Sequence, residues 1–142
     1  MRAAIVNRSI DPPGLLAEVA RDANGATAMF LGTVRSTNEG REVTGIEYSS
    51  YDQMAVREMT SILREAGNRF GLEHGVIEHR VGRLSIGEVS IAVAVATPHR
   101  AVAFDALEFI VDETKRRAPV WKLELYVDGT REWVGAGSGM AQ

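Results

Sequence analysis

Residues Glu88 to Arg100 read EVSIAVAVATPHR, and this stretch decides the fold. Val89, Ile91, Val93 and Val95 alternate with Ser90, Ala92, Ala94 and Ala96, so two distinct faces run along one strand from Glu88 to Thr97. The small-residue face implies a helix lying close against the sheet. Pro98 then opens a helix that runs to about Arg117, where Pro119 stops it.

The same reading extends in both directions. Upstream, His74 to Leu84 is a strand joined to Glu88 by a tight Ser85–Gly87 connection. Asp52 to Phe70 carries Met54, Ala55, Met59, Ile62, Leu63, Ala66 and Phe70 at three- and four-residue spacings, the apolar stripe of a helix, with Gly71 placed to cap it. Before it lie strands at Ala3 to Val6, Ala26 to Val34 and Val43 to Tyr51. A short helix runs from Asp11 to about Asp22, and a polar loop, RSTNEGR, from Arg35 to Arg41. Downstream, Val120 to Val127 and Arg131 to Val134 flank an Asp128-Gly129 turn. Paired strands between helices predict one α+β domain over residues 1–134, with a largely antiparallel sheet covered by helices, and a flexible Gly-rich tail at 135–142. Gly32 and Gly82 read as close-packing positions.

Composition narrows the function. The 142 residues carry 16 Lys plus Arg against 19 Asp plus Glu, a net charge of -3, which argues against a general nucleic-acid binder. Neither a membrane-length apolar run nor a signal-peptide core is present, which argues against export and for a cytoplasmic protein. The absence of cysteine excludes disulfides, thiolate catalysis and Cys-ligated metals, and with only His74, His79 and His99 no metal site is expected. Of the 16 basic residues only Lys115 and Lys122 are lysines. Lysine, unlike arginine, can lose its proton when desolvated and act as base or nucleophile.

Three places could hold an anion. His99 and Arg100 fall at a helix start after Thr97 and Pro98, the expected cap and first position, where cations oppose the helix dipole unless an anion binds. Lys115-Arg116-Arg117 through Lys122 is a run without acidic residues; alternation puts Lys122 and Glu124 on one strand face, so Glu124 could orient Lys122. Arg35 stands at a strand end beside the loop. Helix-dipole complementation alone would account for Arg116 and Arg117. Phe30, Met54 and Trp121 could line a site for a flat ring or simply belong to the core. His79-Arg80, mid-strand, reads as structural. Together these describe a local cationic site for a small anionic ligand on an acidic protein.

The ordered set FLGTVR (30–35), IEY (46–48), Tyr51 with Met54-Ala55, HRVG (79–82), PHR (98–100) with Ala103-Phe104, and Lys115 through PVWK (119–122) to Glu124 resembles the large, catalytic subunits of molybdopterin synthase. The likeness implies an α/β-hammerhead fold and a sulfurtransferase. Such an enzyme converts cyclic pyranopterin monophosphate (precursor Z) to molybdopterin, taking sulfur from the C-terminal Gly-Gly thiocarboxylate of a small ubiquitin-like partner. It implies a homodimer within a heterotetramer and no resident cofactor. Lys115 and Lys122 match the catalytic lysines. Arg35, His99 and Arg100 match substrate-contacting residues, and Phe30 and Glu124 match the site lining. Ser49 and Ser50 stand where many relatives carry an acidic residue. A non-catalytic module that docks an acidic partner tail is the competing reading, and turnover separates the two.

Overall fold

The computed structural model describes residues 1–134, and the tail expected to be flexible, 135–142, lies outside the described residues. Among the described residues the elements run β1 (Arg2–Val6), α1 (Pro12–Val19), β2 (Ala26–Thr33), β3 (Thr37–Asn38), β4 (Arg41–Ser50), α2 (Asp52–Phe70), β5 (His74–Arg80), β6 (Gly82–Ser85), β7 (Val89–Thr97), α3 (Arg100–Arg117), β8 (Val120–Tyr126) and β9 (Arg131–Val134). The α+β expectation holds, but the strands form two sheets rather than one. The first has the order β1-β5-β7-β2, with β1 parallel to β5 and the other neighbours antiparallel. The second has β3-β4-β8-β9, with β6 also paired to β4.

Strand β7 is the buried centre of the first sheet. Ile91, Val93 and Val95 pack under α2 and α3 with Met59, Ile62, Leu63, Ala66, Ala106 and Ile110. Ala92, Ala94 and Ala96 on its other face let α1 approach, and Leu15 and Val19 close that side. Each fully buried aliphatic side chain contributes about 1.5–3 kcal/mol, so this two-faced strand anchors the domain. The stripe of α2 is as the spacing predicts in Ala55, Met59, Ile62, Leu63 and Ala66, whereas Met54 at its start is 54% exposed.

Three local readings are corrected. The strand expected from His74 to Leu84 is broken at Val81. There the Val81 N–H still donates to Val6 O at 2.8 Å, and Gly82 turns the chain into the second sheet with φ 101°. A Cβ at Gly82 would meet nothing within 4 Å, so its conformation, and not close packing, calls for glycine. Gly82→Ala is expected to cost about 1–2 kcal/mol, read as a lowered urea midpoint with unchanged slope. The segment read as a loop from Arg35 to Arg41 holds a tight hairpin. Glu39 (φ 51°) and Gly40 (φ 79°) form its turn, both left-handed as a two-residue hairpin turn requires. Finally, α3 begins two residues later than its proline suggests. His99, with extended backbone, is the cap residue, and Thr97 Oγ1 donates to His99 O at 2.7 Å instead of capping the helix.

Candidate active site

The last turn of α3 carries Lys115, Arg116 and Arg117, but the three do not form one positive patch. Arg117 is held by Glu58 (2.8 Å), Glu65 (2.7 Å) and Glu113 (3.2 Å), which ties α3 to α2, and Arg116 pairs with Glu113. Lys115 makes no ion pair among the described residues, and its Nζ lies 5.7 Å from the Phe30 ring centroid, within cation–π range. The residue as a whole is exposed, but the atoms around its amine strip water from it. That desolvation pushes the ammonium below the ordinary lysine value; the charges of Lys122 and Arg35 push the same way, and Asp112 opposes them.

Ala118 and Pro119 turn the chain from α3 into β8, and Pro119 O accepts the Tyr51 N–H at 3.2 Å. Strand pairing then sets Lys122 opposite Tyr48 and Glu124 opposite Ile46. Lys122 Nζ stands 3.6 Å from Glu124 Oε2, and the Glu124 side chain is only 4% exposed. A buried carboxylate needs such a partner, so Glu124 holds Lys122 in place electrostatically, as the strand alternation suggested. Burial raises the Tyr48 phenol, with a Ser90 hydrogen bond opposing and Glu124 adding to the rise. Arg35 follows β2 by two residues and is exposed, near enough for its charge to act on Lys115.

The structure therefore gathers Phe30, Arg35, Lys115, Lys122 and Glu124 at one end of α3. It does not bring His99 and Arg100 there. They lie exposed at the other end, about 22 Å away by helical rise, where His99 borders a cavity of about 250 Å³ with Asn24, Phe70, His74 and Val102. Met54 and Trp121 lie outside the cluster as well. Trp121 packs edge-on against Tyr51 (4.6 Å between centroids), on the strand face opposite Lys122.

His79, which reads from the sequence as structural, stands in the core close to this cluster. It is buried, its ring meets Tyr48 edge-on at 5.1 Å, and its Nδ1–H donates to Arg80 O at 3.0 Å. Burial pushes its pKa down to about 4; the Arg80 carbonyl resists and the charge of Lys115 adds to the fall. Between about pH 6.5 and 4 the unfolded chain therefore binds a proton here that the folded chain refuses, so stability falls as pH falls through that window. From this group alone the protein is expected to be about 2 kcal/mol less stable at pH 5 than at pH 7. Urea titrations of the protein and of His79→Phe at both pH values measure it, since the variant lacks the increment.

A sequence model of the family described as MoaE protein matches residues 5–117. The molybdopterin synthase catalytic subunit of Pyrococcus abyssi is 45% identical over 114 residues, 80% of this chain and 77% of that protein. That of Neosartorya fischeri is 40% identical over 88% of this chain, which spans 66% of the fungal protein's length. The crystal structure of molybdopterin synthase from Staphylococcus aureus superposes with TM-score 0.89 at 30% identity, over 93% of this chain and 96% of that one. A complex of subunits 1 and 2 of the molybdopterin-converting factor from Helicobacter pylori shares the fold, with TM-score 0.77 at 22% identity, over 93% and 89% of the two chains. The sequence match and the shared fold place the chain in the MoaE family, that of the catalytic subunits of molybdopterin synthase.

Proposed function

We propose that this chain transfers sulfur to cyclic pyranopterin monophosphate in the cytoplasm, with Lys115 as the reacting amine. The observation that carries this reading is an unpaired, partly desolvated lysine against an aromatic ring, with a second lysine held beside it by a buried carboxylate. The sulfur comes from the C-terminal thiocarboxylate of a small partner, whose Gly-Gly end lets an extended backbone pass close to side chains. The thiocarboxylate sulfur bonds to the pterin side chain, water cleaves the acyl–sulfur bond so that the tail leaves as a carboxylate, and Lys115 removes and delivers the protons of these steps. Lys122 stabilises the charge that develops, Phe30 lines the site, and Arg35 holds an anionic group at the mouth. Purified chain supplied with thiocarboxylated partner and precursor Z should yield the dithiolene product. Binding of both without turnover would leave the chain a docking module.

His99 and Arg100 enter this reading from a second copy of the chain. Within one chain they are too far from Lys115 to touch the same small molecule. Strand β2 has a free outer edge with Leu31 39% exposed, and α3 packs along β2. An antiparallel pairing of two such edges would run the α3 helices in opposite directions and bring the His99 end of one copy toward the Lys115 end of the other. There the two cations and the helix N-terminus would hold the substrate phosphate. Arg100→Ala is expected to weaken substrate binding about tenfold by calorimetry, with melting temperature unchanged because the side chain is exposed.

A further inference from the structure

His79 is the buried titratable group of this cluster to which sulfur transfer gives no task. Its position follows from strand register. On the face of the first sheet beneath α2 and α3, His79 lies opposite Ile91 and Ile91 lies opposite Gly32, a row across three strands. Gly32 shares its face with Phe30, whose ring carries the Lys115 amine at 5.7 Å. A Cβ on Gly32 would come within 2.6 Å of Ile91 Cγ2, so the row is packed without spare room. The imidazole therefore forms part of the floor under the last turn of α3.

Its orientation is fixed as well. Strand β5 ends at Arg80, where the chain leaves for the second sheet, and the Nδ1–H of His79 donates to the Arg80 carbonyl at that break. Tyr48 packs edge-on against the ring from β4. The charged and titratable groups that face Lys115 come from each neighbouring element. Asp112 is on α3, Arg35 follows β2, Lys122 is on β8 and His79 is on β5, while Glu124 on β8 faces Lys122 and Tyr48 on β4 faces His79. Of the two carboxylates, Glu124 is taken by Lys122 and Asp112 is exposed to water. A third anion at position 79 would pair the amine and hold its proton.

We propose that His79 is a positioning residue for Lys115, its uncharged ring filling the floor beneath the amine so that neither water nor a counter-charge reaches it from below. The histidine meets two demands that no aliphatic residue meets together, since its Nδ1–H satisfies the carbonyl at the strand break and its remaining bulk is neutral. The benefit to sulfur transfer rests on the function proposed above, but the effect on Lys115 is a property of this chain alone and is measured without substrate or partner.

The chain has only two lysines, so labelling lysine Cε with carbon-13 gives two resonances from the full-length protein, and Lys122→Arg identifies that of Lys115. In His79→Ala, water entering the floor is expected to raise the Lys115 titration midpoint by about one unit, with transfer below the midpoint about tenfold slower. In His79→Phe, which keeps bulk and neutrality but has no ring nitrogen, the midpoint should stay at the wild-type value. His79→Leu repeats that measurement if near-UV circular dichroism shows the Phe variant misfolded. A shift in the neutral, bulky variant as large as in His79→Ala would assign the effect to the imidazole nitrogen. An unmoved Lys115 in His79→Ala would make the residue purely structural. Either result overturns the proposal.

Discussion

Lys115→Arg is expected to lower the rate of sulfur transfer by about 10²–10⁴-fold while leaving the affinities for substrate and partner nearly unchanged. Arginine keeps the positive charge and the contact with the Phe30 ring, so binding terms survive. It cannot release a proton near neutral pH, so any step that needs a free amine stops. In the native protein, desolvation together with Lys122 and Arg35 lowers the Lys115 ammonium, and the rate should therefore rise with pH as the amine is freed. That rising limb should vanish in the variant. Lys122→Arg should retain far more activity, because Glu124 can pair with a guanidinium as well as with an ammonium. Single-turnover assays across pH with preloaded partner, alongside calorimetric binding, separate chemistry from affinity. A near wild-type rate for Lys115→Arg would reduce the lysine to a positive charge and remove the basis for its proposed role.

The second large effect concerns stability. Glu78 is 1% exposed on β5, and its carboxylate is held by Arg2 from β1 at 2.8 Å and by Arg8 at 3.2 Å. Arg2 also pairs with Glu18 on α1 at 2.7 Å, so these charges join α1 to the first sheet. Replacing both arginines with alanine would leave a buried carboxylate without a cationic partner, at a cost of about 3–5 kcal/mol. For a chain of this length the melting temperature should drop by about 10–20 °C. Either single substitution should cost much less, since the other arginine remains. Adding Glu78→Leu to the double variant should restore most of the loss, because an apolar side chain suits the buried position. Thermal melts of the native protein and the four variants test this, and no recovery in the triple variant would show that the arginines act by packing rather than charge.

The site was legible in the sequence where it depended on side-chain type and local spacing. Two lysines in an otherwise arginine-based chain single out the end of α3 where the structure gathers the candidate groups, and strand alternation alone places Glu124 beside Lys122. The fold was legible for the same reason. The two faces of β7 and the stripe of α2 are local periodicities, and burial follows periodicity. His79 reads as structural because a histidine within a strand looks the same in sequence whether its neighbours are core residues alone or include the charge of a lysine 36 positions later.

What tertiary structure decided were the long-range pairings. A run of basic residues at 115–117 could not show that Arg117 is taken by glutamates of α2, since Glu58 and Glu65 lie far back in the chain. Nor could it show that the strand after His74 splits between two sheets at Gly82, because the split lies in which strands pair, β5 with β7 and β6 with β4. The distance of His99 and Arg100 from Lys115 follows from α3 being one unbroken helix, whose rise sets Arg100 about 22 Å from Lys115. Local spacing determined which residues carry reactive groups, because chemistry resides in side chains. The packing of α3 against the sheets determined which of those groups meet and which amine loses its water, because desolvation and charge act through space.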